Sequence, residues 1–136
     1  MSRMLFVNLP VADVSASRSF FTGLGFDINE AFSDKTTISV VLSDMATVMM
    51  LQTDRFRSFL ADGDITDTST SREALLAISA DSREAVDALA DAALAAGGSQ
   101  WTDPQDHGFM YGRSFRDLDG HAWEVVWMDP AQMPAE

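Results

Sequence analysis

From Met4 to Val11 the pattern is that of a strand: Leu5, Val7, Leu9 and Val11 form one apolar face of an extended segment, with Met4, Phe6 and Asn8 on the other. The period then changes. From Val14 onward Ser17, Phe20, Phe21 and Leu24 share one side of a helix, and Asp13 stands where it can cap the first turn. Gly23-Leu24-Gly25-Phe26 supplies the stop and the turn. Strand-like runs follow at residues 26–28, 36–42 and 47–51, with Ser43-Asp44 as a hairpin signal.

The same order recurs in the second half. Residues 74–80 read as a strand with Leu76 and Ile78 on one face. Asp81-Ser82-Arg83-Glu84 has the form of a capping box, an acceptor followed three residues later by Glu. Val86, Leu89, Ala93 and Leu94 make a helical stripe that Gly97-Gly98 ends. Three further strand-like runs lie at residues 100–102, 109–115 and 122–128. Each half therefore reads β-α-β-β-β. Between them the pattern predicts a short helix over residues 53–62, carrying Phe56, Phe59 and Leu60, and a polar, mobile linker over 63–72. A module of about 60 residues is marginal alone. The halves are thus expected to form one domain over residues 1–136, with module one at 3–53, the linker region at 54–72 and module two at 73–129.

The last strand carries an oddity. Glu124 shares a face with Ala122, Val126 and Met128, while Trp123, Val125 and Trp127 take the other, so one carboxylate stands in an otherwise apolar strand. Burying it unpaired costs several kcal/mol, which calls for a metal, a hydrogen-bonding partner or water in a cavity. The alternative is an edge strand from which Glu124 reaches solvent.

Composition narrows the function classes. The net charge of −12 and a single lysine, Lys35, argue against a nucleic-acid partner, which needs clustered Lys and Arg, and against anionic membranes. No run of about eighteen apolar residues is present to span a bilayer. The first residues have no signal-peptide pattern, and a cytoplasmic location is the expectation. With no cysteine, disulfides, thiolate catalysis and thiolate metal sites are excluded. The two histidines give no triad. His121 follows a Gly turn with parity opposite to Glu124, which fits a turn or sheet-edge residue. His107 lies in a loop by composition, Asp103 to Gly108, and is a candidate for substrate contact or proton transfer.

Leu9-Pro10-Val11-Ala12-Asp13, Phe20-Phe21 and Gly23-Leu24-Gly25-Phe26, together with Asp117-Leu118-Asp119-Gly120-His121 and Trp123-Glu124, resemble the vicinal oxygen chelate superfamily. That superfamily includes glyoxalase I, bleomycin-resistance proteins and extradiol dioxygenases. The resemblance spans roughly residues 3–129 and implies an α+β fold in which two βαβββ modules form a U-shaped mixed sheet around a cavity. It also implies a homodimer. Catalytic members hold one divalent metal ion with His, Glu or Gln from the first and last strand of each module, and the metal serves as a Lewis acid. Carried over by strand position, those places fall at Phe6, Met50, Leu75 and Glu124, of which only Glu124 can ligate. A register shift of two offers Asn8, Gln52 and Glu73 instead, so the alternative metal set is Glu124 with Gln52 and Glu73. The primary expectation is no cofactor.

A metal-poor cavity of this kind would have an apolar, adaptable floor at Phe6, Met50 and Leu75. Trp101, Phe109, Tyr111 and Arg113 would add stacking surface, a hydroxyl and a cation, and Asn8 and Gln52 amides. Two functions follow from the resemblance. One is a small-molecule-binding protein with a degenerate metal site, in which Glu124 anchors an amphipathic or cationic compound. The other is a lyase, isomerase or dioxygenase resembling glyoxalase I, with Glu124 as metal ligand or general base.

Overall fold

The first strand ends at Val11 because Asp13 takes over the chain. Its carboxylate accepts hydrogen bonds from the backbone N–H of Ser15 and Ala16 and starts a helix at Val14. The computed structural model describes residues 2–132, and the chain divides into two units between Asp67 and Thr68. The first contains β1 (Leu5–Val11), α1 (Val14–Gly23), β2 (Asp27–Ile28), β3 (Thr37–Ser43), β4 (Ala46–Gln52) and α2 (Thr53–Ser58). Its sheet runs in the order β1-β4-β3-β2, with β1 parallel to β4 and the other pairs antiparallel.

Register decides which side chains meet in this sheet. Val7, Val48 and Val40 align, as do Leu9, Met50 and Ile38, all on one face. That face belongs to α1, since Gln52, two residues after Met50, uses its side chain at the start of that helix. Its amide nitrogen donates to Ala12 O (2.6 Å) and its carbonyl accepts from Val14 N–H (3.2 Å). Val40, Val48, Met50 and Ile38 are accordingly buried with Phe20 and Phe21, whose rings meet edge to face. Phe6, Asn8, Ser39 and Met49 point to the opposite face.

The second unit contains β5 (Leu75–Ser79), α3 (Arg83–Ala95), β6 (Ser99–Gln100), β7 (Gln105–Asp106), β8 (Met110–Arg116) and β9 (Ala122–Met128). Its sheet runs β5-β9-β8-β6, with β7 also paired to β8. β5 and β9 are parallel, as β1 and β4 are in the first unit. The plan read from the pattern is thus the plan found, an α+β fold of two β-α-β-β-β units, with β7 added where a plain loop was expected. Trp123, Val125 and Phe115 pack on the α3 face with Val86, Ala90 and Ala93, and Phe115 stacks on Trp123 with ring centroids 6.2 Å apart.

Three local expectations change. The cap of α3 is Ser82, whose hydroxyl accepts from Ala85 N–H, so the capping residue sits one position later than Asp81. The helix after β4 ends at Ser58. The second part of the polar linker is fastened rather than loose. Thr68 donates to Asp119 O (2.7 Å), and Arg72 donates to Gly120 O (2.6 Å) and Thr68 O (3.3 Å).

Candidate functional site

The Asp-Gly turn before β9 is built around a buried carboxylate. Asp117 accepts from Asp119 N–H and His121 N–H through one oxygen and from the Trp123 indole N–H through the other, each at 3.0 Å. Burial pushes this carboxyl up, while His121 and the three donors pull it back. Gly120 has a φ of +83° and lies against Thr68, where a Cβ would collide with the hydroxyl. The turn therefore fixes the level at which β9 enters the sheet, and with it the place of Glu124.

β9 lies inside the sheet, between β5 and β8. The edge-strand reading of Glu124 is thereby overturned. Glu124 pairs in register with Ser114 on one side and Ala77 on the other. Its face is the one turned away from α3, because the opposite parity on β8 carries Tyr111 and Arg113 to that helix. The Tyr111 hydroxyl donates to Asp87 (2.6 Å), and Arg113 donates to Asp87 (3.1 Å) and pairs with Asp91 (2.9 Å). The hydrogen bond from Tyr111 holds the Asp87 carboxyl below the usual range, and the same bond pushes the Tyr111 phenol up.

On its own face Glu124, half-buried, opens into a cavity of about 60 Å³ with Met110, Gly112, Ser114 and Val126 from β8 and β9 and Thr102, Asp103 and Gln105 from the segment before β8. Ser114 is tied to that segment, accepting from Thr102 N–H (2.9 Å) and sharing a 2.6 Å hydrogen bond with the Thr102 hydroxyl. The walls thus hold two carboxylates, two hydroxyls and an amide beside the thioether of Met110 and the hydrocarbon side chain of Val126. Arg113 also borders the space, but its guanidinium is held by Asp87 and Asp91.

The structure separates several residues that the resemblance had grouped. Met50 and Gln52 face α1, whereas Phe6 and Asn8 leave the opposite face of the same sheet, so these four do not line one surface. Tyr111 and Arg113 are engaged with α3 and not with Glu124. Leu75 is on the Glu124 side of its sheet, while Glu73 lies exposed, ahead of β5. Trp101 stacks under the Arg72 guanidinium, 5.1 Å from the ring centre. His107 and Phe109 are exposed at the turn into β8, their rings 6.5 Å apart. Thr102, Asp103, Gln105, Val126, Gly112 and Ser114 were missed. Alternation along β8 would have selected the last two, given the cross-strand register that a single sequence lacks.

The donor chemistry does not fit a catalytic metal. Among the described residues no three His, Asp or Glu side chains form a set suited to a metal ion. Two of the first- and last-strand positions, Phe6 and Leu75, are hydrocarbon, and Gln52 of the alternative set is spent on α1.

Two units, each a mixed sheet carrying a helix on one face in the order β-α-β-β-β, define a paired-module α+β class. The chain belongs to the glyoxalase/bleomycin resistance protein/dioxygenase superfamily, whose family model matches residues 3–125. Among solved structures it is similar to a hypothetical protein from S. aureus, at 25% identity and a TM-score of 0.78 over 93% of this chain and 95% of that one. A glyoxalase/bleomycin resistance protein/dioxygenase family enzyme from Burkholderia phytofirmans aligns at 17% identity and 0.75, over 93% and 99%. A fosfomycin resistance protein from Mesorhizobium loti aligns at 13% identity and 0.68, over 97% of both chains. The last two likenesses speak to fold alone. No curated protein matches the chain.

Proposed function

We propose that this chain is a small-molecule-binding member of its superfamily, with Glu124 as the anchor for a cationic or hydrogen-bond-donating head group. The observation that carries this reading is the placing of Glu124 on an interior strand, on the side away from α3, inside a cavity that also holds Asp103. A carboxylate there needs a partner, and both guanidinium groups of β8 are engaged, Arg113 with Asp87 and Asp91 and Arg116 with Ser99 and Gln100 O. About 60 Å³ takes a few waters or one small charged group, far less than the roughly 300 Å³ at which whole-ligand pockets begin. The head of the ligand enters the cavity, past Met110 and Val126 in its wall, and the body of the ligand stays outside.

Thermal-shift screening of matched alkylammonium and alkylcarboxylate series tests this directly. Stabilisation by the ammonium series, lost in Glu124→Gln, supports the reading; stabilisation by the carboxylates alone counts against it. Metal analysis addresses the lyase, isomerase or dioxygenase alternative. Stoichiometric Ni, Zn, Fe or Mn that disappears in Glu124→Gln would replace the binding reading with a metalloenzyme.

The protein is further proposed to act as a homodimer. Each sheet ends in an apolar edge strand, with Leu5 61% and Phe6 54% exposed on β1 and Leu75 53% exposed on β5. Such edges are normally covered, and a second copy supplies the cover.

A further inference from the structure

The segment that walls the Glu124 cavity is held from the other side of the sheet. Strand alternation divides the two residues of β7. Gln105 pairs with Gly112 and faces the cavity, and Asp106 pairs with Tyr111 and faces α3. There Arg83, the first residue of α3, grips Asp106 through two parallel hydrogen bonds of 2.8 and 2.9 Å. The same guanidinium donates to Gly108 O at 2.9 Å, and the Asp106 carboxylate accepts from Gly108 N–H, also at 2.9 Å. Arg83 is itself fixed by two rings of the sheet, lying 5.1 Å from the centre of Tyr111 and 5.2 Å from that of Trp127.

We propose that Arg83 is a positioning residue for the Glu124 site, latching residues 103–108 through Asp106 and so setting where Gln105 and Asp103 stand in the cavity wall. The segment is otherwise held at its start, where Thr102 is hydrogen-bonded to Ser114 and the Gln100 amide donates to Thr102 O (3.3 Å) and Asp103 (3.5 Å), and at its end by the short β7–β8 pairing and by His107 N–H donating to Met110 O (2.8 Å). Between that point and Asp106 its residues are exposed, and β7 is only two residues long, too short to hold itself against the sheet. Release of the latch therefore frees the wall while leaving the floor, made by β8 and β9, in place. A bare charge does not replace the fork: lysine at this position keeps the positive charge but loses the two-point grip. The inference rests on the reading of the Glu124 cavity as a binding site only for its functional meaning; the latch itself is tested without any ligand.

Hydrogen exchange resolved by residue, on the full chain, compares the native protein with Arg83→Gln, Arg83→Lys and Asp106→Asn. The expected result is exchange at residues 103–108 faster by roughly three- to tenfold in both Arg83→Gln and Asp106→Asn. Arg83→Lys should fall between them and the native protein, the amides of β9 and α3 should keep their rates, and the carboxyl carbon resonance of Glu124 should move. Unchanged exchange at 103–108 would overturn the proposal. So would an acceleration shared equally by α3 and β9, which would make Arg83 a general stabiliser of the unit. A latch that opens as expected in a protein that binds neither butylammonium nor butyrate would keep this inference and remove the binding function.

Discussion

Asp117 shows how one side chain determines the site without touching it. Its carboxylate ties the backbone of the Asp-Gly turn to the Trp123 indole, one residue before Glu124. Asp117→Ala leaves three N–H groups without that acceptor, and its expected cost is about 2–3 kcal/mol in chemical denaturation. Asp106 behaves differently because it is exposed. The Arg83 fork and the Gly108 N–H lower its carboxyl to about 2. A carboxyl lowered by folding stabilises the native state above the ordinary carboxylate range and loses that contribution as pH falls through its folded value. For Asp106 the loss falls between about pH 4 and about 2. Carbon-detected titration should find its midpoint near the lower figure, moving into the ordinary range in Arg83→Gln; an ordinary midpoint in the native protein would contradict the latch geometry.

At the scale of elements, the alternation in β1, the stripe on α1 and the Gly stops were legible because each rests on local periodicity. The parity of Glu124 against Trp123 and Val125 was equally legible. Which face of a sheet receives a helix was not, because it depends on cross-strand register and on contacts distant in sequence. Met50 illustrates this: its apolar chain suits a cavity floor or a core equally, and the decision comes from Gln52 reaching Ala12 and Val14 across some forty positions. The two amide contacts predict that Gln52→Ala weakens the start of α1 by about 1 kcal/mol. Met50→Ala should cost about 2–5 kcal/mol as a core truncation. Thermal or urea unfolding checks both, and a tolerated Met50→Ala would return Met50 to the surface. The strap at residues 103–108 was read as a loop because a two-residue strand leaves no periodic trace.

At the scale of the whole molecule, the family is given by a match over most of the chain, whereas the proposed function depends on a small group of side chains on one face of one sheet. Among the described residues no helix is long and apolar enough to cross a membrane. The exposed edges of β1 and β5 predict a dimer by light scattering, with Leu5→Lys and Leu75→Lys together shifting the mass toward one chain. The central claim is that Glu124 anchors a positive or donating head group. It is tested most directly by following the Glu124 carboxyl and Ser114 resonances during titration with butylammonium and, separately, with butyrate. The account predicts that butylammonium moves both signals in the native protein and neither compound perturbs the cavity in Glu124→Gln. Equal response to butyrate, or an undiminished response to butylammonium in Glu124→Gln, would contradict it.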